Sequence, residues 1–282
     1  MADGSANAGD EMAKQAAPSK KKPRAAKPAA KPRHAARKFK IDLWATDFNT
    51  AEIGIMKRTK NEAKSDQFTK DMELFGQTVD GGKREALIAY RKDLWDKKKD
   101  MDRRLVIKLF SESLSWRGTM EMMVGRSLQL TRGAGIPVPV FSVNLARHDQ
   151  IINVERCARK WPLMPERFTF FLQTKSGPRF YTLQRRMLSF GADFNVLDQQ
   201  GRRIGHLDQK LINLGGAWKV KVDEAHTSRK LETMLELFCA MLKFNGASRK
   251  HIGRLDGKVR AGKITPKLSH QESNLYFNPR RR

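Results

Sequence analysis

Leu188-Ser189-Phe190-Gly191-Ala192-Asp193-Phe194-Asn195-Val196-Leu197-Asp198-Gln199-Gln200-Gly201 decides the fold reading. Apolar and polar residues alternate from Asp193 to Leu197, and Asp198 to Gly201 reads as a turn, with glycine free to take positive φ. The same unit occurs twice. Arg186 to Val196 lies over Lys210 to Val220 at a constant offset of 24, with base, apolar pair, glycine, aromatic and valine in register. Similarity at a fixed offset marks one supersecondary unit used twice. Gly191, Gly215 and Gly216 stand where a strand must bend, which curves a sheet toward closure.

Outward from this repeat, Val140 to Val143, Arg167 to Leu172 and Arg179 to Leu183 read as short strands, and Lys175 to Pro178 as a turn. Arg202 to Leu207 is the return arm of the hairpin. In Ala217 to Val222 the residues Trp218, Val220 and Val222 share one face, and Lys219 and Lys221 the other. An apolar helix follows. Ser228 is placed to cap it, and Leu231, Met234, Leu235, Leu237, Phe238, Met241, Leu242 and Phe244 cover most of its circumference, so it must be buried on most sides. Asn245-Gly246 reads as its end, and Glu232 and Glu236 as its exposed seam.

Curved antiparallel hairpins followed by one heavily buried helix resemble the tubby C-terminal-like superfamily, most closely its LURP-one-related, scramblase-like branch. The segment Leu188 to Gly201 is similar to that branch's barrel-building repeat, and Lys210 to Gly215 resembles the following unit. The resemblance spans about residues 165 to 245. It implies a β-barrel wrapped around a central hydrophobic helix, in a superfamily that includes phosphoinositide-binding tubby domains and phospholipid scramblase-like proteins.

Elsewhere the sequence reads differently. Leu87, Tyr90, Leu94, Met101, Leu105, Leu109 and Phe110 recur mostly at three- and four-residue steps, which predicts a helical segment over 41–135 broken at Gly81-Gly82. Trp44, Phe48, Trp95 and Trp116 read as core anchors rather than stacking platforms. Residues 1–40 are rich in Ala, Pro, Lys and Arg, a composition that cannot bury a core and predicts a disordered tail. Residues 247–282 read as a second basic tail closing on Arg280-Arg281-Arg282. The fold class is therefore α+β: an antiparallel barrel-like domain over 136–246 with a buried C-terminal helix, preceded by a helical segment and a basic tail.

A formal charge of +26, from 56 Lys+Arg against 30 Asp+Glu, makes a field that attracts polyanions. Chemistry is harder to find. Gly257 to Lys263 fits most of a phosphate-binding loop, but Ile264 stands where Ser or Thr must ligate magnesium. His148-Asp149 and His206-Leu207-Asp208 lack a nucleophile in a recognisable turn, and Cys157 and Cys239 have no metal-ligand spacing and read as buried free thiols. No catalytic, cofactor or metal residue is assigned, and the expectation is a non-enzymatic binding protein without a cofactor.

The partner expected first is nucleic acid; the alternatives are an acidic phospholipid surface and a structural place in a ribonucleoprotein particle or virion. The binding residues expected are Lys20, Lys21, Lys22, Arg24, Lys27, Lys31, Arg33, Arg37, Lys38 and Lys40 in the N-terminal tail, Arg185, Arg186, Lys219 and Lys221 in the barrel-like domain, and Arg280, Arg281 and Arg282 at the end. With no apolar spanning run or leader, the expected location is cytoplasmic or nucleoid-associated, or nuclear in a eukaryote, where Lys20 to Arg24 serves as a localisation signal.

Overall fold

Phe194 to Lys210 builds a hairpin wall. In the computed structural model, which describes residues 36–44, 65–158, 164–175, 177–188, 191–210, 216–269 and 272–273, Phe194–Leu197 pairs antiparallel with Arg203–Lys210. The turn between them is held by Asp198, whose Oδ1 accepts from the backbone N–H of Gln200 and of Arg202, each at 2.9 Å, with Gly201 at φ 74°.

Twelve strands form one closed antiparallel barrel: β1 Arg37–Leu43, β2 Met72–Asp80, β3 Lys83–Arg91, β4 Val106–Ser111, β5 Trp116–Met122, β6 Val140–Leu145, β7 Ile151–Arg156, β8 Arg167–Thr174, β9 Gly177–Arg185, β10 Phe194–Leu197, β11 Arg203–Lys210 and β12 Ala217–Val222. Each strand pairs with its neighbours in sequence, and β1 closes the ring by pairing with both β12 and β2. The repeated unit supplies β10 and β12, two strands apart. Its equivalent aromatics, Phe194 and Trp218, both point inward and are buried.

Three α-helices occur among the described residues: a single turn α1 Lys92–Trp95, then α2 Val124–Ala134 and α3 Arg229–Arg260. Ser228 caps α3 as expected, its hydroxyl accepting from the Leu231 N–H at 3.2 Å. Every residue from Leu231 to Met241 is buried, so this stretch is enclosed on all sides by the barrel wall. Phe238 meets Phe168 of β8 and Phe194 of β10 edge-on at 5.1 and 5.3 Å. Apolar burial around the helix is the main stabilising term of the fold, at about 1.5–3 kcal/mol per fully buried large side chain.

The helix does not stop at Asn245-Gly246. It continues to Arg260, because Phe244 packs on Trp95 at 6.0 Å and Tyr90 at 5.2 Å, while Ser248, Ile252 and Leu255 are buried farther along. Gly262, at φ 67°, follows its true end, so the basic C-terminal tail expected from 247 is helical over its first part; residues 274–282 lie outside the described residues.

The helical segment expected over 41–135 is mostly sheet, β2 to β5, and Gly81-Gly82 is the β2–β3 hairpin turn with φ of 52° and 83°. Burial on both faces explains the misreading. A second apolar cluster of Phe68, Met72, Leu74, Leu87, Ala89, Phe110 and Leu114 covers the outer side of these strands. Ala86 to Tyr90 is consequently buried without interruption, and a strand buried on both faces loses its alternation. Of the tail expected over 1–40, Arg37 to Lys40 belong instead to β1; residues 1–35 lie outside the described residues.

Candidate functional site

Strand pairing places lysines opposite lysines. Across the β1–β12 seam, Lys38 stands directly opposite Lys221 and Lys40 opposite Lys219, all on the outer wall, while Phe39, Ile41, Val220 and Val222 fill the lumen. Like charges at directly paired positions destabilise a sheet, by an amount similar to the 0.2–1 kcal/mol that opposite charges contribute. The acids nearest the seam offset only part of this charge. Lys40 Nζ is 2.6 Å from Asp42 Oδ1 on its own strand, and Asp208, paired with Lys219, is drawn to His206 at 3.2 Å.

The upper lysine pair ends a longer row. Arg167 on β8 is opposite Gln184 on β9, which faces Asn195 on β10, then His206 on β11, Lys221 on β12 and Lys38 on β1. Six consecutive strands thus present a basic or hydrogen-bonding side chain, with no acid among them. Asn195 Oδ1 is buried with no hydrogen-bond partner among the described residues. The sequence does not mark Arg167, Gln184 or Asn195 as binding residues, and His206 reads in it only as half of a His–acid pair with Asp208. Their only signal was position, at alternating places in strands whose register the sequence does not reveal.

The other expected residues separate. Arg37 is not part of the basic face. Its guanidinium pairs with Asp80, with Glu85 at 3.2 Å and with Glu232 at 3.5 Å, at the mouth where α3 enters. Arg186 lies 3.9 Å from Asp193. Arg185 turns into the opposite mouth, where α3 leaves, and with Lys210, Lys243 and Arg249 lines a cavity of about 490 Å³ floored by Phe194 and Trp218. Glu166 also lines this cavity, but its charge is met by Arg156 at 2.5 Å and by Asn245 at 3.3 Å, which hold its carboxyl below the usual range against the cost of burial. Lys20, Lys21, Lys22, Arg24, Lys27, Lys31, Arg33, Arg280, Arg281 and Arg282 lie outside the described residues.

Glu232 and Glu236 correct the sequence reading: both face into the barrel rather than solvent. Glu232 meets Arg37 and, at 3.3 Å, Arg229. Burial pushes Glu236 up to about 7, opposed by the facing Thr78 hydroxyl and by Arg117 and Arg229. Neither Glu236 Oε2 nor Thr78 Oγ1 completes a hydrogen bond of ordinary geometry among the described residues. Burial likewise lowers the Arg117 guanidinium.

The remaining chemical candidates dissolve. Gly257 to Arg260 is helix rather than a phosphate loop. His206 and Asp208 form an outer-wall pair, and His148 and Asp149 lie in the connection between β6 and β7. Cys239 is buried as expected, its thiol pushed well up by desolvation, but Cys157 is exposed. Among the described residues no cluster of His, Cys, Asp and Glu is arranged to hold a metal, and no helix is long and apolar enough to cross a membrane. Comparison with protein-family models, curated proteins and solved structures finds no match to this chain.

Proposed function

We propose that this chain is a non-enzymatic nucleic-acid-binding protein in which the barrel is a rigid scaffold and the β1–β12 wall is the phosphate-binding face. One observation carries the reading: Lys38 opposite Lys221 and Lys40 opposite Lys219. Like charges set directly opposite one another cost sheet stability, so packing alone gives no reason for these lysines. They set four cations on two adjacent strands, one pair two residues from the other, a spacing suited to consecutive phosphates. The basic segments Lys20 to Arg33 and Arg280 to Arg282 add cations that gain affinity by counterion release.

The test is the salt dependence of binding to a homopolymeric nucleic acid. Replacing Lys38, Lys40, Lys219 and Lys221 by Gln lowers affinity and shallows the log–log salt slope, by about 0.7–0.9 for each phosphate that is no longer neutralised. Deleting residues 1–33 acts in the same direction. Affinity that ignores salt, or a slope unmoved by the quadruple substitution, defeats the reading.

A lipid-surface reading has one observation in its favour. Met187 and Leu188, the latter 98% exposed, follow Arg185 and Arg186 directly, which is the composition of a loop that meets anionic headgroups and inserts apolar side chains. The tubby-like resemblance supports the same alternative. Flotation with acidic vesicles, lost on Leu188→Asp, would favour it over nucleic acid.

A further inference from the structure

Two phenylalanines on the outer wall have no place in the core. Phe171 of β8 and Phe180 of β9 are directly paired, point away from the lumen and remain 38% and 53% exposed, with ring centroids 5.4 Å apart and planes inclined at 35°. Their sequence neighbours Phe170, Leu172 and Tyr181 turn inward and are buried, so nothing in the packing of the barrel asks for aromatics at the outer positions. From this pair the outer wall leads through Thr169 and Thr182 to the row Arg167, Gln184, Asn195, His206, Lys221 and Lys38.

We infer that Phe171 and Phe180 are a base-stacking platform, and that the ligand of this wall is single-stranded nucleic acid. The inference rests on the nucleic-acid reading and narrows it. An unpaired base offers a free π-face to an exposed ring, whereas in a duplex those faces are taken by neighbouring bases. Curvature gives a second reason. The platform on β9 and the lysines on β12 are three steps apart in a ring of twelve strands, a quarter of the circumference. Along the wall this is on the order of 20 Å, from about 4.8 Å per strand step and about 3.3 Å per residue. A flexible strand bends around that arc, with its phosphates on the lysines and its bases on the rings. A duplex, stiff over about 150 base pairs, lies tangent to the wall and reaches one or the other. Gln184, Asn195 and His206 stand between, where sugar hydroxyls and base edges need donors and acceptors.

The experiment compares the full-length parent with the double substitution Phe171→Ala/Phe180→Ala, by fluorescence anisotropy against one labelled oligonucleotide, single-stranded and annealed to its complement. The expected result is a loss of about tenfold or more in single-strand affinity, with an unchanged salt slope and unchanged duplex affinity. Phe180→Trp should show indole quenching on adding the single strand and none with the duplex. Equal losses on both ligands, or no loss on either, overturns the platform while leaving the lysine face to stand on its own salt slope. A parent that binds neither ligand removes the nucleic-acid reading itself. A sedimentation mass that falls in the double variant assigns the rings to self-association and overturns the inference too.

Discussion

Lys38 and Lys221 occupy paired positions on β1 and β12, so the strand pairing that closes the barrel carries a repulsion. Stability and binding then pull in opposite directions. Lys38→Glu converts a like-charge pair into an attractive one and should raise unfolding stability by about 0.2–1 kcal/mol, while weakening polyanion binding. Urea denaturation and a binding titration on the same variant check both signs. A loss of stability would mean that the lysine is held by a local partner rather than tolerated for its charge.

Glu236 makes stability depend on pH in a definite direction. Its folded-state value of about 7 lies above the ordinary 4.5, because burial penalises the carboxylate more than Arg117, Arg229 and Thr78 favour it. The folded chain therefore binds this proton more tightly than the unfolded chain. That contribution is complete below about pH 4.5 and is lost as pH rises to about 7. His251 works the other way. Burial lowers it from 6.5 to about 4, so its contribution is lost as pH falls through that window. The informative measurement is thus the difference between Glu236→Gln and the parent: the variant gains stability relative to the parent between pH 4.5 and 7, and the difference levels off above that. A flat difference curve would show that Glu236 is solvated.

These residues also show what the sequence made legible. Trp218, Val220 and Val222 against Lys219 and Lys221 were readable because β12 has one dry and one wet face, so the alternation survives. Strand β3 hides because Ala86 to Tyr90 is buried on both sides, and its apolar spacing mimics a helix by coincidence. Asn245-Gly246 carries a valid stop signal that tertiary packing overrides, through Phe244 against Trp95 and Asn245 against Glu166. Glu232 and Glu236 resemble an exposed stripe because their partners Arg37, Thr78 and Arg117 come from strands far away in sequence. The lysine face is half legible: the sequence marks Lys38, Lys40, Lys219 and Lys221 one by one, but only barrel closure sets them opposite one another.

Glu272 ties the C-terminal segment to the N-terminus of α2. Its carboxylate oxygens accept from the backbone N–H groups of Gly125 and Arg126, each at 3.1 Å, and the side chain is buried. No side chain within α2's own N-terminal turn caps that helix. Glu272→Ala should cost about 0.5–2 kcal/mol, the usual range for a lost cap. It should also speed hydrogen exchange at the Gly125 and Arg126 amides. Unchanged protection there would show that those amides find another acceptor.

Gly205 lets β11 and β12 approach within ladder distance at the point where the polar row crosses them. It faces Val222 in register, and a methyl group at this position would overlap the carbonyl oxygen of Lys221, a backbone atom that cannot rotate away. Gly205→Ala must therefore push the strands apart beside the His206–Lys221 pair. The expected cost is about 1–3 kcal/mol, as for other forced overpacking. Because His206 and Lys221 move with the ladder, single-strand binding should weaken as well, in a protein that still melts cooperatively. Gly216, in the neighbouring connection, is the control. Its φ of 95° disfavours alanine too, yet only the end of the Gln209 side chain lies near it, at 3.9 Å. Gly216→Ala should lose stability to backbone strain while leaving the row, and binding, intact. Equal binding losses in both variants would show that the register at Gly205 has no special bearing on the ligand face.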